Sequence, residues 1–203
     1  MQSEQKLAVL IDADNAAAKT LKPIMDEVAK YGVPTIKHAY GDWAKLGGWK
    51  DSLLEIGAVP VQQYAYTSGK NATDSALIIE AMDILHADNV DGFVIVSSDS
   101  DFTPLALRLR ESGKRVYGIG EKKTPRPFIT ACDKFIYVEI LAAQNAEKRV
   151  GIGFHAAYGI VLYLAQLSGV AVEEMLLTNH LVELLALLLV VIVENGAAKL
   201  LYL

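Results

Sequence analysis

Short runs of apolar and β-branched residues alternate with segments of helical periodicity up to about residue 140 of the chain. The apolar runs, which are predicted to be strands, are residues 7–11, 34–40, 59–64, 92–97, 115–120 and 135–139. The segments predicted to be helices are residues 16–31, 46–56, 73–87, 103–112 and 126–132. Because strands that alternate with helices form a parallel sheet covered on its faces, the pattern predicts an α/β fold with a doubly wound, mostly parallel sheet.

The composition changes after Glu139, and the remainder of the chain is rich in Leu, Val and Ala. We therefore predict an α/β domain over residues 1–140 and a short hydrophobic, helical C-terminal extension over residues 141–203, with a boundary near residue 145. The longest uninterrupted apolar run, Leu184–Val193, has ten residues, whereas a membrane span needs about 20. The extension is therefore expected to form a homodimer interface, and a membrane is not favoured.

Apolar residues make up 52% of the chain and charged residues 21%, which excludes an extended disordered protein. Cys132 is the only cysteine, so an intramolecular disulfide is impossible. Residues 1–6 show no apolar leader before the first predicted strand. A cytoplasmic location is the expectation from these features.

Acidic residues follow the predicted strands at the positions where an open α/β sheet binds its ligands. Asp12 and Asp14 follow the first strand, Asp99 and Asp101 follow the fourth, and Asp74 begins the helix after the third. Since ligands lie beyond the carboxyl ends of the strands, these acids are expected to converge at one edge of the sheet. Carboxylate oxygens are preferred ligands of Mg²⁺ and Mn²⁺, which assist phosphoryl transfer.

Helix capping is an alternative explanation for the same acids. Asp, Ser and Asn after a strand are common N-caps, each contributing about 1 kcal/mol. One Asp at each junction would be enough for capping, whereas the pairs Asp12 with Asp14 and Asp99 with Asp101 supply two. The spacing favours a metal site and leaves capping open.

Five segments in order resemble the NYN domain family, a branch of the PIN-like ribonucleases. The matching segments are LAVLIDADN (7–15), TDSALIIEAM (73–82), VIVSSDSDFTPL (94–105), GKRVYGIG (113–120) and TPRPFITACDKFIYVE (124–139). The resemblance covers about residues 6–140 and implies a PIN-like, Rossmann-type fold. It also implies a divalent-metal-dependent endoribonuclease that uses Mg²⁺ or Mn²⁺ and takes RNA as its substrate.

The resemblance implies roles for individual residues. The residues that match the metal-binding and catalytic acids of the family are Asp12, Asp74, Asp99 and Asp101. Asn15 matches the polar residue of the first motif, which orients an acid or contacts phosphate, whereas Asp14 is at a variable position. Ser98 stands where relatives often carry Gly.

A basic region lies around the fifth predicted strand. Residues 102–134 carry eight Lys or Arg and three acids, although the whole chain has a net charge of −5. The residues expected to contact phosphate groups of the substrate are Lys122, Lys123, Thr124 and Arg126 after the fifth strand and Lys70 in the loop before Asp74. Ser98 and Ser100, which alternate with the acids after the fourth strand, complete the predicted substrate-binding set.

Two other functions remain open from the sequence. The domain could bind RNA with little or no catalysis, with the C-terminal extension serving for oligomerisation. It could instead be a haloacid-dehalogenase-like phosphatase, because Asp12 and Asp14 have the spacing of that nucleophile and acid. Ala16 stands where the phosphatases carry Thr, which argues against the second alternative.

Overall fold

The structure is a computed structural model of the chain, and it describes residues 4–63 and 72–145. The first compact unit spans Met1–Ala142. Its sheet contains six strands: β1 (Lys6–Asp12), β2 (Val33–Gly41), β3 (Val59–Gln62), β4 (Gly92–Val96), β5 (Arg115–Gly120) and β6 (Lys134–Tyr137).

The strand order is β3-β2-β1-β4-β5-β6, and every neighbouring pair in this sheet is parallel. The predicted doubly wound α/β fold is confirmed, and the described strands are parallel throughout rather than mostly so. β1 and β4 lie at the centre, and residues 7–11 and 92–96 are all buried. Burial on both faces explains why these strands are continuous apolar runs without a polar alternation.

Five α-helices connect the successive strands: α1 (Leu21–Val28), α2 (Trp49–Ile56), α3 (Ala72–Ala87), α4 (Thr103–Glu111) and α5 (Arg126–Ala131). Short 3₁₀ turns, Ala18–Thr20 and Ser100–Phe102, precede α1 and α4. One core cluster joins α1 and α2 to one face of the sheet, and the other joins α3, α4 and α5 to the opposite face. The two faces are therefore both covered by helices.

Three predicted boundaries were wrong for identifiable reasons. The first α-helix begins at Leu21 rather than at residue 16, which keeps Pro23 in the first turn, where its missing N–H costs no helical hydrogen bond. The second begins at Trp49 rather than at residue 46, because Gly48 has a left-handed conformation with φ 83°. The last strand ends at Tyr137 rather than at residue 139, because residues 138–145 are helical; the segment from residue 142 was predicted to be a linker or a helix end.

The predicted C-terminal extension lies outside the described residues from position 146 onward. Its helical character, its role in a dimer and the boundary near residue 145 therefore remain predictions. In the described ranges, no helix combines the length and the apolar character that crossing a membrane requires.

Candidate active site

The centre of the sheet creates a crevice at its carboxyl edge. From β1 the chain continues to β2 on one side, and from β4 it continues to β5 on the other. Connections that leave neighbouring strands in opposite directions open a gap above those strands, which is where α/β proteins bind ligands. Asp12 is the last residue of β1, and Ser97 directly follows β4.

Asp12 is fully buried in this crevice and is held by four hydrogen bonds. Its Oδ1 accepts from the backbone N–H groups of Asp14 (3.1 Å) and Asn15 (3.3 Å). Its Oδ2 accepts from the Asn15 side-chain amide (2.8 Å) and the Ser97 hydroxyl (2.7 Å). Burial raises the pKa of Asp12, and the hydrogen bonds from Ser97 and Asn15 oppose that rise. A carboxylate offers about four lone-pair positions, so these bonds occupy nearly all of them.

Ser97 connects the two central loops. While its hydroxyl donates to Asp12, its oxygen accepts from the backbone N–H of Asp99 at 3.0 Å. Asp99 in turn accepts from the backbone N–H of Asp101 at 2.9 Å and caps the 3₁₀ turn that follows. Capping therefore does occur at Asp99, but one hydrogen bond leaves most of its acceptor capacity for other ligands.

Asp74 and Asp14 complete the group of acids. Asp74 lies in the first turn of α3, and the preceding Thr73 is buried and donates to Asp14 Oδ2 at 2.7 Å. Partial burial and then the charges of Asp12, Asp99, Asp101 and Asp14 raise the pKa of Asp74 from 3.8 to about 6. We call the five residues the carboxylate cluster: Asp12, Asp14, Asp74, Asp99 and Asp101.

The donor chemistry of the cluster fits a hard divalent cation. All its ligand atoms are carboxylate oxygens, which Mg²⁺ and Mn²⁺ prefer. After partial burial, the charges of the other four acids raise the pKa of Asp74, and this repulsion is what a bound cation would relieve. Within residues 4–63 and 72–145, however, no three His, Cys, Asp or Glu side chains are arranged to hold a metal ion. Metal binding would require the acids to approach and Asp12 to exchange a hydrogen bond.

Two residues predicted to bind substrate, Ser98 and Thr124, make hydrogen bonds that hold the loop after β5. The Ser98 hydroxyl accepts from the backbone N–H of Glu121 at 2.9 Å, which fastens this loop to the one after β4. Thr124 is buried and donates to the Glu121 carbonyl at 2.6 Å. Their hydroxyls are thus engaged within the protein.

The remaining predicted contacts that fall within the described residues lie at the same edge. Lys122, Lys123 and Arg126 are exposed after β5, and Lys123 pairs with Glu121 at 2.7 Å. The Ser100 carbonyl accepts from the Thr103 hydroxyl at 2.6 Å. The prediction for Lys70 falls outside the described residues.

The basic region predicted over residues 102–134 does not form one surface. Arg110, in the last turn of α4, and Arg115, at the start of β5, lie at the amino edge of the sheet, away from the carboxylate cluster. Arg110 pairs there with Asp133 at 3.1 Å. The parallel sheet separates the residues that begin β5 from those that follow it.

Sequence reasoning gave no role to Ser97 and left that of Asp14 doubtful. Ser97 directly follows the apolar run of β4, so its strand-end position was a usable signal. The contact between Thr73 and Asp14 joins residues 59 positions apart and leaves no local pattern. It depends on how α3 is placed against the sheet.

Comparison with known proteins identifies the domain. An uncharacterized protein from Methanocaldococcus jannaschii is 27% identical over 124 residues, which are 59% of this chain and 49% of that protein. The chain thus spans about half the length of this curated relative. A crystal structure of a protein of unknown function from Vibrio parahaemolyticus has a TM-score of 0.58 at 19% identity. That match covers 68% of this chain and 94% of the other, and it shows the fold alone.

The family comparison agrees with the topology and with the positions of the acids. The model of the NYN domain matches residues 6–141, a range that includes all six strands and the whole carboxylate cluster. The chain belongs to the NYN domain family.

Proposed function

We propose that this chain is a divalent-metal-dependent endoribonuclease that hydrolyses RNA phosphodiester bonds at the carboxylate cluster. NYN domains are generally ribonucleases of the PIN-like type, which supports a hydrolase of this class. The observation that carries the proposal is the convergence of acids from three chain segments at one edge of the sheet, where partial burial and then the charges of the neighbouring acids raise the pKa of Asp74 to about 6. A fold gains no stability from such repulsion, and pKa values shifted by like charges are typical of functional sites.

The proposed roles follow from the contacts of each acid. Asp74, Asp99 and Asp101 are all more accessible than the buried Asp12, and they would hold Mg²⁺ or Mn²⁺ together with it. A bound divalent cation supplies charge neutralisation at the phosphate and a water of lowered pKa. Asn15 and Ser97 keep the Asp12 carboxylate in a fixed orientation through their hydrogen bonds.

Cleavage of labelled single-stranded and hairpin RNA in Mn²⁺, Mg²⁺ or EDTA tests the proposal. We expect cleavage in Mn²⁺ or Mg²⁺ and none in EDTA. Asp99→Asn is the most informative variant, because the amide oxygen can still accept the hydrogen bond from Asp101 N–H while the charge is lost. We expect its cleavage rate to fall by at least the roughly 10- to 100-fold typical of residues that merely orient metal ligands.

Asp83→Asn is the matched control, because Asp83 is an exposed acid on α3 outside the carboxylate cluster. This variant should cleave at the wild-type rate. Equal cleavage by the Asp99→Asn and Asp83→Asn proteins would refute the proposed site. RNA binding without cleavage in any metal would instead favour the non-catalytic RNA-binding module.

The phosphatase alternative has less support. An aspartyl nucleophile must reach a phosphorus atom, whereas Asp12 is fully buried and both of its oxygens accept two hydrogen bonds. Asp14 accepts from Thr73, which places it toward α3. The match to the NYN domain over residues 6–141 also favours the nuclease.

A further inference from the structure

Two loops border the carboxylate cluster on opposite sides. Residues 42–46 follow β2, which is next to β1, and residues 121–125 follow β5, which is next to β4. Both loops begin at a strand-end glycine, Gly41 or Gly120. The two glycines allow each loop to approach the acidic loop beside it.

Gly41 brings the loop after β2 against the loop after β1. A Cβ atom at Gly41 would lie 2.5 Å from Leu46 Cδ1, 3.2 Å from Ala13 Cβ and 3.9 Å from Asp14 Oδ1. Leu46 and Asp14 therefore both lie within 4 Å of this position. Residues 42–46 accordingly lie beside the Asp14 side of the carboxylate cluster.

Lys45 extends from this loop into solvent. Its side chain is 73% exposed, and its ammonium pairs with Asp42 Oδ2 at 2.8 Å. Asp42 is itself held by the Gln62 amide at 3.0 Å. The Asp42 contact and, to a smaller extent, the charge of Asp14 raise the pKa of Lys45. Lys45 is thus a cation of fixed position whose electrostatic surroundings include the cluster.

Gly120 has the same effect on the other side. A Cβ atom there would lie 2.5 Å from the Ser97 carbonyl oxygen and 2.9 Å from Thr124 Oγ1. The Ser98 hydroxyl fastens the loop further by accepting from Glu121 N–H. The loop that carries the exposed Lys122 therefore lies beside the acidic loop that follows β4, and the Lys122 backbone N–H donates to Glu139 Oε1 at 2.9 Å.

We propose that one RNA strand crosses the carboxyl edge of the sheet, with Lys45 binding a phosphate on the β2 side of the cluster and Lys122 one on the β5 side. This path rests on the proposed ribonuclease function. β2 and β5 are three strand spacings apart, about 14 Å, so the loops that carry the two lysines lie on opposite sides of the centre of the cluster. Lysine ammonium groups bind phosphate as point charges, and a scissile phosphate between two such contacts would be held over the acids.

The salt dependence of RNA binding tests this path. The probe is a labelled single-stranded oligoribonucleotide, bound in EDTA at several KCl concentrations to a chain that carries Asp99→Asn and does not cleave. The slope of log Kobs against log salt concentration is negative, and each lost phosphate contact lowers its magnitude by about 0.7 for single strands. We expect this decrease for Lys45→Gln and for Lys122→Gln, and the double variant should show about twice the decrease of either single variant. Lys45→Arg should have the slope of the parent chain.

Lys30→Gln is the matched control. Lys30 is an exposed lysine that also pairs with an acid three residues away, Glu27, but it lies at the amino edge of the sheet between α1 and β2. The salt dependence of RNA binding by the Lys30→Gln protein should equal that of the parent chain. A Lys45→Gln slope equal to that of Lys30→Gln, or no binding of the oligonucleotide to the parent chain, would overturn the path. Because cleavage is disabled here, absence of ribonuclease activity in the wild type is a separate result.

Discussion

Replacing Asp74 by Asn should stabilise the metal-free protein. Asp74 is surrounded by acids, and its pKa of about 6 shows that its ionised form is disfavoured in the fold. The amide removes the charge and keeps nearly the same size. The carboxylate cluster then loses the repulsion that a divalent cation would otherwise neutralise.

The magnitude follows from the shifted pKa. A rise of the pKa from 3.8 to about 6 corresponds to about 3 kcal/mol, and screening by the solvent that reaches Asp74 reduces this to about 1 to 2 kcal/mol. Loss of the favourable interaction between the charge and the N-terminus of α3 costs about 0.3 to 1 kcal/mol. We therefore expect a net gain of about 1 kcal/mol in the free energy of unfolding at pH 7.5, which in a chain of this size raises Tm by about 2 to 4 °C.

The stability difference between the Asp74→Asn protein and the wild type depends on pH, because the pKa of Asp74 is raised in the folded state. Below about pH 4 the carboxyl is protonated in both the folded and the unfolded chain, so its raised pKa contributes no difference. As the pH rises from 4 to 6, the unfolded chain loses this proton first, and the folded wild type becomes progressively less stable. The advantage of Asp74→Asn should therefore develop over that interval and remain constant above it.

Urea and thermal unfolding in EDTA between pH 4 and 8 measure this effect, with Asp83→Asn as the charge-matched control on the same helix. Added Mn²⁺ should stabilise the wild type more than the Asp74→Asn protein, because ligand binding to the folded state raises its stability by mass action. If Asp74→Asn is no more stable than Asp83→Asn at pH 7.5, or if its advantage is already complete at pH 4, the electrostatic reasoning is refuted.

Two further predictions concern the loops around the cluster. Ser97→Ala removes a hydrogen-bond donor from the buried Asp12 carboxylate and should lower the free energy of unfolding by about 1 to 3 kcal/mol. Ser112→Ala, at an exposed serine, is the control and should change it little. Equal urea midpoints for the Ser97→Ala and Ser112→Ala proteins would contradict this prediction. Gly120→Ala places a methyl group 2.5 Å from the Ser97 carbonyl and should cost about 1 to 3 kcal/mol by overpacking. Gly47→Ala, where no atom lies within 4 Å of the added Cβ, is its control in thermal unfolding; matching Tm values would refute the steric argument.

The sheet could be predicted from sequence because its signal is local. Val9 and Ile95 belong to continuous apolar runs that are buried on both faces, and such runs separated by helical segments specify a parallel sheet. Since ligands of α/β sheets lie at the carboxyl ends of the strands, the same pattern predicts that Asp12 and Asp99 lie near one another. Both steps use only the order of residues and a property common to α/β folds.

The contacts that organise the acids could not be predicted in the same way. Ser97 reaches Asp12 across 85 residues, and Thr73 reaches Asp14 across 59, so neither pair produces a periodic pattern. Whether a strand-end hydroxyl donates to an acid or to a backbone carbonyl depends on the distance between two loops. That distance is set by the packing of the sheet and its helices.

The acids of the cluster differ in how the fold compensates their charge, and this difference connects stability with the proposed chemistry. Asp12 is fully buried, yet hydrogen bonds from Ser97, the Asn15 side chain and the Asp14 backbone oppose the effect of burial on its pKa. Asp74 is more accessible, but partial burial and then the charges of neighbouring carboxylates raise its pKa to about 6. If a cation replaced one hydrogen bond at Asp12, that carboxylate would lose some of its stabilisation, and the repulsion at Asp74 would be relieved. Because uncompensated charge favours cation entry, metal affinity should depend more on the net charge around Asp74 than on the hydrogen bonds that orient Asp12.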